Sequence, residues 1–317
     1  MTMGKLLSHR LAVPVVIALL VVALSFAMPS NFYYRVAALV WISALAVIGL
    51  NLLMGYAGQV SLGHAGFFGI GAYAVAVLPP QFGLHPLVAV LAGAVATAAI
   101  AFLVGRPILR LKGHYLAVAT LGFGILIAMT ISNEAWLTGG PDGMPVERLT
   151  VFGWRVRGAD TWYWISGGLL VIGAWIACNL VASPTGRALR ALHDSEVAAR
   201  VAGIDVARAK LTVFVISAVY ASVAGSTLAL VNGFVTPDKA NFLHSIELVT
   251  MVVLGGMGSI LGSVAGAAIL VVLPQALTGF HDYEHMILGL IMMVIMIVLR
   301  AGIVPSIAAF FQGRRNK

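Results

Sequence analysis

The chain has 317 residues, of which 61% are hydrophobic and 9% charged, and its mean hydropathy is +1.01. Soluble domains carry about 25% charged residues, so composition excludes a water-soluble fold and points to an integral membrane protein. The net charge of +8 does not point to nucleic acid, because the basic residues flank apolar runs and do not interleave with aromatics on one face; it reports membrane orientation instead.

A membrane-crossing helix needs about 20 apolar residues. In chain order the apolar runs fall near 11–28, 36–53, 62–78, 86–105, 115–132, 161–182, 211–231, 247–258, 260–277 and 286–302. The first follows a basic segment, as a signal peptide does, yet it is long for one and lacks a clear cleavage site, so a retained first helix is expected. The fold class is therefore all-α: a polytopic membrane protein of about eight to ten spans, with no Ser/Pro/Gly linker to divide residues 1–317 into more than one domain. The single cysteine, Cys178, lies within a span and supports neither a disulfide framework nor a metal motif.

Between the second and third runs lies "GYAGQVSLGHAGFFGIGAY", Gly55 to Tyr73, with six glycines and the polar Gln59, Ser61 and His64. Ser61, Ala65, Gly69, Ala72 and Ala76 recur at helical spacing and suit close helix packing. Packing explains the glycines but not the polar side chains, which inside a membrane tend to serve function; His64 is open to either reading, as a satisfied structural hydrogen-bonder or as a site residue. The outer loop "LTGGPDGMPVE", Leu137 to Glu147, is rich in turn formers and reads either as a structured surface or as a plain connector.

The segment Ser183 to Lys210, "SPTGRALRALHDSEVAARVAGIDVARAK", reads as a helix over 184–203. Ser183 is its cap, Pro184 lies in its first turn and Gly203 ends it in a left-handed conformation, while Asp205 caps the next membrane helix. Leu189, Leu192 and Ala199 share one side, beside Ala188 and Ala202, and Glu196 and Arg200 form an i,i+4 pair. That shallow alanine-rich face, expected to be exposed in the isolated chain, carries no Trp or Phe anchor and suits a cleft in a protein partner better than a lipid surface.

The run from Leu248 to Leu277 is too long for one span and short for two. With the N-terminus inside and the spans alternating, fourteen of the 19 basic residues fall inside, and only Arg35, Arg148, Arg155, Arg157 and Lys239 fall outside. This bias places both ends in the cytoplasm and requires "LGGMGSILGS", Leu254 to Ser263, to be a turn. Neither this turn nor the one beginning at Gly55 holds a charge, so both are expected to be tucked inside the protein, with Met257 and Ser259 shielded. Irregular backbone at membrane depth is tolerated only within protein or along a watery cavity, and one Gly-interrupted segment in each half points to a transport pathway. The translocation-path candidates are Gln59, Ser61, Gly63, His64 and Gly66 in the first turn and Gly255, Gly256, Gly258 and Ser259 in the second. Glu247, at a span edge, reads as interfacial or as positioning the second turn. "HDYEH", His281 to His285, has an i,i+4 histidine pair but no third ligand, so no metal is expected.

"EVAARVAGID" resembles the cytoplasmic EAA-type loop of ABC importer permeases. Together with "NLLMGYAGQVSLGHAGFFGIGAY", "LTGGPDG" and "SIELVTMVVLGGMGSILGSVAGA", in that order along the chain, it resembles the branched-chain amino acid permease family of the LivM type. Gly66 departs from the family pattern, where Ala is expected, and Ser263 stands where Pro is expected. The resemblance implies a bacterial inner-membrane subunit importing Leu, Ile or Val by alternating access. It also implies two cytoplasmic ATPases, a second similar permease subunit and a periplasmic solute-binding protein as partners. Arg187, Leu189, Arg190, Leu192, Glu196, Ala198, Ala199 and Gly203 would then be the ATPase-docking residues. No Gly-x4-Gly-Lys-Ser/Thr motif occurs, so no cofactor is expected on this chain and ATP would be bound by the partners. A urea or short-amide permease of the same family is the alternative. An ion-coupled secondary transporter is less well supported, since it wants an ionisable residue in mid-span and every Asp and Glu falls in a loop or at an edge.

Overall fold

The computed structural model describes residues 3–151, 154–277, 289–290, 293, 297 and 302–306. Twelve α-helices are defined within them: α1 (Met3–Ala27), α2 (Asn31–Asn51), α3 (His64–Phe82), α4 (Pro86–Ile108), α5 (His114–Asn133), the single turn α6 (Ala135–Thr138), α7 (Ala159–Ala182), α8 (Pro184–Asp194), α9 (Glu196–Val201), α10 (Val206–Asn232), α11 (Phe242–Gly255) and α12 (Ile260–Leu277). Seven stretches are long and apolar enough to cross a membrane: α2 with its continuation to Tyr56, α3, α4, α5, α7, α10 and α12; residues 11–27 of α1 and all of α11 are shorter apolar helices. The chain is an all-α, multi-pass membrane protein. Most of the expected span 286–302 and both histidines of "HDYEH" lie outside the described residues.

Helices α2 and α10 form the centre. Their most apolar windows are 78% and 72% buried, against 22% for α4 and for α5, whose outward faces are left for lipid. Small residues make the central crossings possible, because in lipid, helix association rests on close backbone approach. A Cβ at Gly225 of α10 would lie 1.9 Å from the Phe68 carbonyl oxygen of α3, and one at Gly49 of α2 would lie 2.3 Å from the Tyr220 Cβ. The Ser226 hydroxyl donates to the Gly71 carbonyl at 2.8 Å across the α3–α10 contact.

The loops gather at two opposite ends. At one, β1 (Met144–Pro145) pairs antiparallel with β4 (Phe234–Val235), tying the 137–147 loop to the connector after α10; β2 (Thr150–Val151) pairs with β3 (Trp154–Arg155). The stretch "LTGGPDG" is a structured surface: Gly139, Gly140 and Gly143 all have positive φ and α6 runs into a 3₁₀ turn at Gly140–Asp142. At the other end lie α8, α9 and the α4–α5 connection, where Glu196 pairs with Lys210 and lies 4.0 Å from Lys112.

Candidate functional site

Each of the two Gly-rich segments breaks a helix, and the breaks meet. Helix α2 ends at Asn51 in a π-helical turn, Leu52–Tyr56, and the chain stays irregular until α3 begins at His64. Helix α11 stops at Gly255, and Gly256 and Gly258 take φ of +116° and +75° before α12 begins at Ile260. The expected span 247–258 is thus displaced: the helix starts earlier, where the Asn241 side chain caps its first N–H groups, and ends before the glycines. A Cβ at Gly55 would stand 2.2 Å from the Gly258 nitrogen, so the two turns touch with no room for a side chain.

Asn51 joins them. It is 1% exposed. Its Oδ1 accepts from the Gly258 N–H at 2.8 Å, and its Nδ2 donates to the Ser259 carbonyl at 2.9 Å and the Ser263 hydroxyl at 2.8 Å, with the Gly256 carbonyl at 3.4 Å. An amide has two donors, so the 3.4 Å contact is the weakest of the three. The residue is not among the sequence candidates, although a lone polar side chain late in the apolar run 36–53 is the signal that marks it.

The first turn is bound from its other side as well. His64 is 1% exposed, with Nδ1 2.8 Å from the Ser61 hydroxyl and Nε2 hydrogen-bonded to the Ser217 hydroxyl of α10, between the edges of Phe67 and Phe214. Thr120 of α5 accepts from the Leu62 N–H at 3.1 Å, and Ser245 of α11 accepts from the Ala65 N–H at 3.0 Å. Gly63 and Gly66 pack on α5: a Cβ at Gly63 would lie 2.1 Å from the Thr120 carbonyl oxygen, and one at Gly66 2.9 Å from Ile127. Buried N–H groups at a helix start need partners, and these side chains supply them. In the second turn Gly258, Ser259 and Gly262 likewise donate inside the protein, and Gly255 is packed against Gly262. Gln59 differs: its Nε2 donates to the Ala57 carbonyl at 3.2 Å, while its buried Oε1 has no partner among the described residues.

The turns are not wholly enclosed. Gly58 and Val60 are exposed, and Met257 is 54% exposed, which corrects the expectation that Met257 is shielded. The cause is geometric: the left-handed glycines on either side of Met257 fold their backbone onto Asn51 and turn its side chain outward.

The 183–210 segment is two helices rather than one. Its ends are as expected: Ser183 accepts from the Gly186 N–H, Asp205 accepts from the Arg208 N–H, and Gly203 at φ +81° closes α9 with paired Gly203→Arg200 and Ile204→Ala199 bonds. The break falls at Ser195, whose hydroxyl accepts from the Ala198 N–H and caps α9, a local bond that competes with helix continuation. Two further expectations are corrected. Glu196 turns from Arg200 to the buried ammonium of Lys210, because a cation short of water needs a partner far more than an exposed arginine does. Leu189, Leu192 and Ala199 are at most 2% exposed and pack against the chain itself, so they hold the segment in place and do not form its free surface. The outward surface carries Arg187, Arg190, Ala198 and Gly203, together with Val197 at 72% and Val201 at 85% exposure. Arg190 also donates to the Val181 carbonyl at 2.6 Å. Helix α8 reaches the first turn: a Cβ at Gly58 would lie 3.1 Å from His193 Nδ1.

A polytopic bundle with two interlocked broken helices and a capped helical pair projecting from one end is the architecture of a transport protein. The family described as "Branched-chain amino acid transport system / permease component" matches residues 32–296, and the chain belongs to it. It is 35% identical over 313 residues to the high-affinity branched-chain amino acid transport system permease protein LivM of Salmonella typhimurium, covering 91% of this chain and 74% of LivM. It is 26% identical over 285 residues to LivH of the same organism, covering 82% and 90%, and 27% identical over 311 residues to the ribose import permease protein RbsC of Escherichia coli, covering 89% and 91%. No solved structure matches.

Proposed function

We propose that this chain is the permease subunit of an ABC importer that carries branched-chain amino acids inward across a bacterial inner membrane, with both termini and the α8–α9 end in the cytoplasm. The observation that carries this reading is the continuous physical link from α8 through the Gly58–His193 contact to the first turn, and through Asn51 to the second. Two ATPases bind ATP and close on α8–α9, a second similar permease completes the pathway, and a periplasmic binding protein delivers substrate at the β1–β4 end. ATPase closure moves α8–α9, and because α8 abuts the first turn and the first turn is pinned to the second, both breaks shift together. Interlocked turns of this kind favour two discrete arrangements over continuous deformation, which is what alternating access requires. Val197 and Val201 are the apolar contacts offered to the ATPase, and Leu189, Leu192 and Ala199 transmit the load. Gln59, with its unpartnered carbonyl oxygen, is the path residue best placed to meet a ligand or water.

The test is uptake by the complex reconstituted in proteoliposomes with its binding protein. Accumulation of labelled leucine, isoleucine or valine that needs both ATP and the binding protein is the expected result. Uptake of urea or short amides alone would assign the related substrate class, and uptake driven by an ion gradient without ATP would overturn the ABC assignment.

A further inference from the structure

A cavity of about 660 Å³ opens between α2, α3, α10, α11 and α12, with Gly289 also on its wall, away from the paired turns. Its volume lies in the range of small-molecule sites, and its lining changes character from floor to rim. The floor is apolar: Ile42 and Phe68 are each 2% exposed and Met251 is 4% exposed. The rim carries Glu247 and Lys239, both exposed, and His244, whose Nδ1 is 3.0 Å from Glu247 Oε2. His244 stacks edge-on against Phe68, ring centroids 4.9 Å apart, and its buried Nε2 has no hydrogen-bond partner among the described residues.

One carboxylate, one ammonium and an apolar floor are the complement of a zwitterion with a hydrocarbon side chain. No ion pair among the described residues joins Lys239 to Glu247, so neither is closed off by the other. Helix α11 runs from Glu247 to the second break at Gly255, about 12 Å along its axis, so a molecule held here waits one short helix above the paired turns. Resting on the importer reading above, the geometry points to this cavity as the outward-facing station for the amino acid: Glu247 holds the α-ammonium, Lys239 the α-carboxylate, and the Ile42, Phe68 and Met251 floor the side chain. A neutral ligand such as urea has no use for the charge pair and leaves the apolar floor empty, so the cavity selects α-amino acids over amides.

The test uses the assembled complex in nanodiscs with a diazirine-bearing leucine analogue, irradiation and peptide mass spectrometry. Label is expected on the α11 peptide containing residues 242–251, displaced by leucine and not by urea or acetamide. Glu247→Gln and Lys239→Gln should each lower it at least tenfold while the ATPases still co-purify in full. Labelling unchanged in both variants, or displaced equally by urea, would overturn the assignment. Leucine uptake with the label elsewhere removes this site alone, whereas no leucine uptake by the unaltered complex removes the importer reading on which it rests.

Discussion

The paired turns and the α8–α9 segment differ in where they direct their unusual residues. The turns place polar groups at membrane depth and satisfy nearly all of them internally: Asn51 alone engages Gly258, Ser259 and Ser263. The α8–α9 segment does the reverse, burying Leu189, Leu192 and Ala199 in the chain while leaving Val197 and Val201 in the open. An unsatisfied polar group in lipid is costly, so the turns have to be self-sufficient; exposed valines on a water-facing helix pair cost little alone and are useful when a partner covers them. Substitutions at the turns should therefore act within the chain, on its stability and on the coupled movement of its two breaks, and substitutions on the outer face of α9 should act on assembly.

The largest loss of stability is expected at Gly55. Gly55→Val would drive a Cβ to 2.0 Å from Asn51 Oδ1 and 2.2 Å from the Gly258 nitrogen. The overpacking is expected to cost about 3 kcal/mol, seen as a fall in thermal midpoint in detergent; an unchanged midpoint would show that the turns do not touch. Ala199→Leu comes next, at about 2 kcal/mol, because Ala199 is 1% exposed. Its neighbour Ala198 is exposed, and Ala198→Leu should stay within about 0.5 kcal/mol; equal costs at the two positions would erase the inner and outer faces of α9. Gly203→Val should cost about 1–2 kcal/mol through backbone alone, since φ is +81° and a Cβ there meets nothing within 4 Å. Smallest in stability is the pair Val197→Asp with Val201→Asp, within about 0.5 kcal/mol. These two should nevertheless abolish co-purification of the ATPases, and retention of the ATPases would move the docking surface elsewhere.

Much of this architecture is readable in the residues. Apolar run lengths locate the spans, the run 248–277 requires a turn, and Ser183, Gly203 and Asp205 mark helix ends by local chemistry that needs no tertiary information. The helix break at Ser195 is equally local, but an alanine-rich pattern continues through it and masks it. What cannot be read is which face of α8–α9 points inward, because leucines with alanines describe a protein cleft and a chain's own core alike; the buried Lys210 that captures Glu196 decides it, fourteen residues further on. Nor does composition reveal that the two turns meet: the Asn51 contacts join residues more than 200 positions apart.

The joining of the turns by Asn51, and through Gly58 to the α8–α9 segment, is the centre of the account. Its most direct test is the ratio of leucine imported to ATP hydrolysed in reconstituted complexes carrying Asn51→Leu, with Ser263→Ala as the milder companion because it removes one of the same bonds. The ATPases should remain bound and hydrolyse ATP, while leucine moved per ATP falls at least tenfold for Asn51→Leu and less for Ser263→Ala. A wild-type ratio in both variants would contradict the coupling route drawn here.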